Sequence, residues 1–292
     1  MKKTPGESVS KNDAPVRFLH GTSLGRVLLE TMLFLRVPKF LGFLLRTPLS
    51  HFYIKKFIAK NKIDMSDFNN DTEGKQFKSF NDFFTRKKPE SALSFDTEKT
   101  HLISPSDSLL SAFKIEDNAV FRIKGFDYTL EDFFQNKKDL LSEKLKEKFS
   151  LGDCLVFRLC ATDYHRYCYI DDGQQGENHF IPGKLYSVQP LAAENFRIYT
   201  KNRRSWTIME TENFGTVAQI EVGAFSVGGI KNHLNGGQFK KGDEKGYFDL
   251  HGSTIVLLFE KDKIILNDEI LEKTKNGDEF RVKYGQFIGV KK

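Results

Sequence analysis

The side chains of this sequence that could do covalent or acid–base chemistry are few. Of seven histidines, only His165, in TDYHRYCY, sits beside both an acid, Asp163, and a cation, Arg166, within a β-type run. Such a ring can move protons near neutral pH, although a lone histidine is more often structural. A second element is Gly252-Ser253-Thr254, which opens the apolar run STIVLLFE. A serine Oγ can attack the carbonyl of the residue before it and convert the amide to an ester. Glycine suits position 252 because, without a Cβ, it permits the strained backbone that attack requires. In isolation Gly-Ser-Thr reads as a turn, so its context must decide. The attack also needs a base. His251 is a rival to His165, because residues two apart on an extended strand point to one face.

Other chemistries lack their residues. Cys154, Cys160 and Cys168 are too few for a disulfide scaffold, and an odd count leaves a free thiol. They form no close C-x-x-C pair, so no metal is expected. The glycine-rich stretch Val222 to Gly237 matches neither a P-loop nor G-x-G-x-x-G. It reads as bends in a β-barrel. No G-x-S-x-G nucleophile elbow is present.

The elements that must position these residues follow from patterning. The chain has 292 residues, 39% hydrophobic, enough for a real core. From Thr97 onward, short β-type runs alternate with turn residues, among them AVFRIKGF, CLVFRLCA, RYCYI, TVAQIEVGAF, STIVLLFE and FIGV. Lys240 to Phe248 reads as a glycine-bounded hairpin turn before another strand. One helix is predicted among the strands, Leu130 to Phe149, with Thr129 and Asp132 forming a capping-box-like start. Its stripe of Leu130, Phe133, Phe134, Leu141, Leu145 and Phe149 reads as core contact.

The N-terminal fifth differs. Residues 1–62 hold 12 Lys and Arg against Glu7, Asp13 and Glu30, a net +9 in a chain of net +6. The remaining 230 residues therefore sum to −3, which argues against nucleic-acid binding. The most apolar stretch, Thr31 to Arg46, is broken by Arg36, Pro38 and Lys39, short of the roughly 20 apolar residues that a membrane span needs. Pro38 and Pro48 divide it into short helices. Apolar faces edged by cations suit helices lying in a bilayer interface, or helices packed on their own domain. The expected fold is α+β: a loose tail (1–16), a basic amphipathic helical membrane-associating region (17–62) and a mostly β, barrel-like catalytic domain (63–292).

One combination of motifs gives the glycine–serine pair its context. KGDEKGYFDLHGSTIVLLFE, Lys241 to Glu260, resembles the self-cleavage segment of the prokaryotic type of phosphatidylserine decarboxylase. SFNDFFTRK (Ser79 to Lys87), ISPSD (Ile103 to Asp107), TDYHRY (Thr162 to Tyr167), GKLYSVQPLA (Gly183 to Ala192) and VGAFSVG (Val222 to Gly228) match the family in its order. The resemblance implies autocatalytic cleavage at Gly252-Ser253 into a β chain, 1–252, and an α chain, 253–292. Ser253 would become an N-terminal pyruvoyl group, a covalent cofactor whose ketone forms an imine with the substrate amine and withdraws the electrons released as carbon dioxide leaves. Asp107 matches the aspartate of the family's Asp–His–Ser relay, with Ser108 in place of the usual glycine. The family's His-Arg-aromatic-His reads His165-Arg166-Tyr167-Cys168 here, so Cys168 replaces the second histidine. A thiol is a poor base unless its pKa is lowered. His165 is assigned the relay role, with His251 as rival and Cys168 as a buried filler. Phe83 and Phe84 are given no site role.

The function expected from this resemblance is conversion of phosphatidylserine to phosphatidylethanolamine and CO2 by a self-processing carboxy-lyase. The alternatives are a pyruvoyl decarboxylase for another amino-acid-bearing substrate and a non-catalytic lipid-binding module. The start of the chain lacks the layout of a secretory or mitochondrial presequence. A peripheral protein on the cytoplasmic side of the cell membrane, bound to its anionic surface, is therefore expected.

Overall fold

The computed structural model describes residues 14–117, 119–123, 126–134, 140–188, 197–224, 229–250 and 253–292. Helices come first: α1 (Ala14–Gly21), α2 (Ser23–Phe34), α3 (Val37–Arg46), α4 (Phe52–Asn61) and α5 (Phe80–Phe84). Each boundary has a local cause. Thr22 caps α2, its Oγ1 accepting from Gly25 N–H at 3.0 Å. Gly25 is required there, because a Cβ would lie 1.9 Å from the Phe18 carbonyl oxygen. Arg36, in the left-handed region at φ 57°, breaks the chain between α2 and α3, and Pro38 fits the first turn of α3. In α4 the i, i+4 pair Ile54 and Ile58 is buried.

The rest is mostly sheet. In chain order the strands are β1 (His101–Ile103), β2 (Ser108–Lys114), β3 (Val120–Ile123), β4 (Phe126–Thr129), β5 (Asp153–Leu159), β6 (Arg166–Cys168), β7 (Gly173–Gln175), β8 (His179–Ile181) and β9 (Arg204–Thr211). They continue as β10 (Gly215–Val222), β11 (Gly229–Asn232), β12 (Gly237–Phe239), β13 (Glu244–Asp249), β14 (Ser253–Phe259), β15 (Ile264–Leu266), β16 (Phe280–Val282) and β17 (Phe287–Lys291). The main antiparallel sheet runs β12-β7-β9-β10-β14-β5-β2-β16, with β8 also on β9. A small sheet, β11-β13-β6, and a second, β1-β17-β15, accompany it.

The expected barrel-like closure is not found: the described strands form open sheets, and the main one ends at the three-residue strands β12 and β16. The physical reason lies in β5 and β14, which are buried at every residue. Ile255, Leu257 and Phe259 enter one core with α4, α5 and β6, whereas Val256 and Leu258 enter a second core with Leu130, Phe133 and Phe149. A sheet covered on both faces has no need to close on itself.

The single helix expected over Leu130 to Phe149 is described as α6 (Leu130–Phe134) and α7 (Leu140–Phe149), and residues 135–139 lie outside the described residues. Its expected start is a reciprocal cap. Thr129 Oγ1 accepts from Asp132 N–H at 3.1 Å, and Asp132 Oδ2 accepts from Thr129 N–H at 3.2 Å. Among the described residues no helix is long and apolar enough to cross a membrane. Helices α2 to α4 and the turns joining them nonetheless leave Phe34 85%, Phe52 79% and Leu49 75% exposed.

Candidate active site

Ser253 is the first residue of β14, paired with Leu159 of β5. Alternation along β14 places Ser253 on the face of Ile255 and Leu257, toward α5 and β6. There its Oγ lies 3.3 Å from His165 Nδ1, and both residues are fully buried. The other ring nitrogen, Nε2, lies 3.0 Å from the Cys160 carbonyl oxygen. A carbonyl oxygen only accepts, so Nε2 carries the proton and donates it. In the neutral ring Nδ1 is then the lone-pair nitrogen, in the tautomer needed to take a proton from Ser253 Oγ.

The ring is also held from the side. Phe84 of α5 stacks on His165 with centroids 3.9 Å apart. The end of α5 is locked to the same turn: Arg86 donates to the Thr162 carbonyl at 3.3 Å, and Arg166 donates to the Thr85 carbonyl at 2.8 Å and to Glu244 at 2.7 Å. Burial pushes the Arg86 guanidinium down to about 10, which leaves it charged at neutral pH. Asp163 holds the turn from within. It accepts from Cys160 N–H at 2.7 Å and from Arg281 at 2.9 Å.

Asp107 lines a concavity with Thr162, Asp163 and Tyr164 of the His165 turn. Its Oδ1 accepts from Tyr284 N–H at 2.9 Å and its Oδ2 from Lys283 at 3.3 Å. The structure thus brings Ser253 and His165 together, while the group orienting His165 through Nε2 is the Cys160 carbonyl. Cys168 is fully buried, with its N–H on the Pro105 carbonyl at 2.9 Å, and burial pushes its thiol up to about 12. A thiol held that high is protonated and is no base. His251 and Gly252 lie outside the described residues.

The chain approaches the serine under constraint. Leu250, buried, holds φ 49°, a left-handed conformation unusual for leucine. Just before it, Asp249 is gripped by Arg46 of α3 at 2.5 Å. On the same face of the main sheet, Glu221 lies opposite Ile255 and forms a fully buried ion pair with Lys245 of β13 at 2.7 Å. Sequence reasoning missed Phe84 and the Cys160 carbonyl. The first lay in a matched motif but reads as core. The second is a backbone atom that no residue type announces.

The family model for phosphatidylserine decarboxylase matches residues 80–290. A curated relative from Clostridium acetobutylicum, phosphatidylserine decarboxylase proenzyme 2, is 44% identical over 290 residues, covering 99% of this chain and 96% of the relative. Phosphatidylserine decarboxylase proenzymes of Clostridium perfringens and Desulfitobacterium hafniense are 39% and 37% identical, covering 94% and 100% of this chain and 92% and 94% of theirs.

Proposed function

The chain belongs to the phosphatidylserine decarboxylase family, and from that premise we propose that it cleaves itself at Gly252-Ser253 and then decarboxylates phosphatidylserine to phosphatidylethanolamine. The observation that carries this reading is Ser253 Oγ facing the lone-pair nitrogen of a buried, oriented histidine. His165 takes the Oγ proton as the oxygen attacks the Gly252 carbonyl, and returns it to the departing Ser253 nitrogen. The peptide C–N bond breaks as the ester C–O bond forms. Elimination releases the carboxylate of residue 252, and water then displaces ammonia from the new N-terminus. The products are the β chain, 1–252, and the α chain, 253–292.

The site fits the pyruvoyl group this leaves. Residue 253 is fully buried against His165, so a reactive ketone there is shielded from bulk water. When formed, that group supplies an electron sink for the pair released as CO2 departs. His165, freed of the serine proton, remains beside position 253 to hold or deliver a proton at the substrate. The Phe84 ring keeps the imidazole plane in place.

Docking at an anionic bilayer is the second part of the proposal. The exposed apolar residues of α2 to α4 are interleaved with Arg26, Arg36, Lys39, Lys55 and Lys56. This matches side chains entering the acyl boundary while cations meet lipid phosphates, on the cytoplasmic side of the cell membrane. Intact mass of the denatured protein tests the processing. Two polypeptides are expected, the smaller lighter than its encoded mass by one ammonia and gaining two hydrogens with borohydride. A single full-length species that persists with phosphatidylserine vesicles would overturn it.

A further inference from the structure

Beside α2 and α3 the structure holds a concavity that none of the residues of the His165 turn lines. It has a volume of about 590 Å³, within the range of small-molecule sites. Arg36, Lys39, Lys184 and Arg203 line it, with Glu30 as the sole lining carboxylate, a net +3. Glu30 is already engaged, accepting from Lys184 at 2.8 Å and from the Tyr186 hydroxyl. Arg36 and Lys39 have no side-chain partner among the described residues and are exposed. Arg36 holds a left-handed backbone where α2 gives way to α3. Two lining residues meet in a close backbone crossing: a Cβ on Gly183 would lie 2.6 Å from Arg203 N, so the position admits only glycine without a shift of main chain.

Two observations say what such a cavity receives. Its cations exceed its carboxylates, which calls for an anion. Its lining also carries Leu33 and the exposed Phe34, and Leu35 and Phe40, chain neighbours of lining residues, are 65% and 64% exposed. A free anion has no use for those apolar side chains, whereas an anionic phospholipid would place its phosphate among the cations and its chains along the phenylalanines. Register fixes the distance to the reacting end. Gly223 N–H bonds the Arg203 carbonyl at 2.9 Å, and Val222 pairs with Thr254, so Arg203 lies two strands from Ser253. At the usual strand spacing that is roughly 10 Å.

We propose that this cavity is a headgroup site for an anionic phospholipid, separate from the reacting serine, which holds the Ser253 end of the sheet against the bilayer. The inference rests on the membrane-docking reading above and deepens it from a diffuse attraction to a built site.

Vesicle sedimentation of the full-length protein tests it, with phosphatidylcholine vesicles with and without phosphatidylglycerol. Diffuse attraction at about 1 kcal/mol per cation would cost two cations about 30-fold, and Arg36→Gln/Lys39→Gln should bind the phosphatidylglycerol vesicles several-fold more weakly than that. It should keep wild-type affinity for phosphatidylcholine alone. Lys56→Gln/Lys60→Gln removes the same charge outside the cavity and should lose several-fold less. Short-chain phosphatidylglycerol should compete for the site and inorganic phosphate should not. Equal losses in the two double variants would overturn the site while leaving membrane docking intact. Competition by inorganic phosphate as strong as by the lipid would make it a phosphate site instead. Failure of the wild-type protein to bind any vesicle would overturn docking and cavity together.

Discussion

At the scale of the residue, the site depends on one proton and where it sits. The Cys160 carbonyl keeps the His165 proton on Nε2, and that leaves Nδ1 to receive the proton of Ser253. Ser253→Ala should therefore yield one uncleaved polypeptide on a denaturing gel. His165→Ala should slow cleavage by about 10²–10⁴-fold, the usual contribution of a positioned base, in a time course followed by mass spectrometry. If His165→Ala cleaves normally and His251→Ala does not, the base is assigned to the wrong ring. Cys168 should behave as filler, and Cys168→Ala should still cleave, at a stability cost of about 1–2 kcal/mol for a small cavity. Its pH signature has a definite sign. Burial raises the folded thiol to about 12, so above the ordinary value of 9 the unfolded chain loses its proton first. The contribution of Cys168 is thus fully present below about pH 9 and is lost as pH rises toward about 12. The denaturant midpoint should fall between about pH 8 and about pH 10 more steeply in wild type than in Cys168→Ala. His165, Ser253, Asp107 and Cys168 all stood out in the sequence as residue types in motifs. Their contacts did not, because Asp107 and His165 are 58 positions apart and only the packing of β1, β2 and β6 decides what each one touches.

At the scale of the element, the small sheet is pinned to the main one by charge as well as by apolar contact. Lys245 of β13 reaches Glu221 of β10, and Glu221 also accepts from Gln219 at 3.0 Å and Asn232 at 3.3 Å. Removing one member of such a buried pair strands the other. Lys245→Met should cost about 3–5 kcal/mol in chemical denaturation, and adding Glu221→Gln should restore most of it. A double variant no more stable than the single one would show that the pair contributes packing rather than charge balance. The strands around this pair were legible from their apolar runs, since β5, β10 and β14 fall inside CLVFRLCA, TVAQIEVGAF and STIVLLFE give or take a residue at the ends. The pair itself was not, because Lys245 follows a glycine-bounded turn and reads as one of many surface cations. Leu250 was equally silent, since nothing in its residue type announces a left-handed backbone at the end of β13.

At the scale of the whole molecule, the apolar helices and the reacting serine are tied to one end of the fold. Arg46 of α3 grips Asp249, four residues before Ser253. Docking through α2 to α4 would therefore present that end to the lipid. Phe34→Ser/Phe52→Ser should weaken vesicle binding about 100-fold, taking each ring as partly inserted, while leaving self-cleavage without vesicles unchanged. Unaltered sedimentation with vesicles would show that these rings do not meet the bilayer. The sequence by itself determined the basic, apolar N-terminus, the α+β class, the β-rich remainder and the glycine–serine pair, because composition, period and local chemistry are written along the chain. Only tertiary structure decided that the sheet lies open between two cores, that the Cys160 carbonyl meets His165 Nε2, and that Phe84 stacks on the ring. Those outcomes depend on which distant segments share a face and on backbone atoms common to every residue, and neither is encoded in the type of any one side chain.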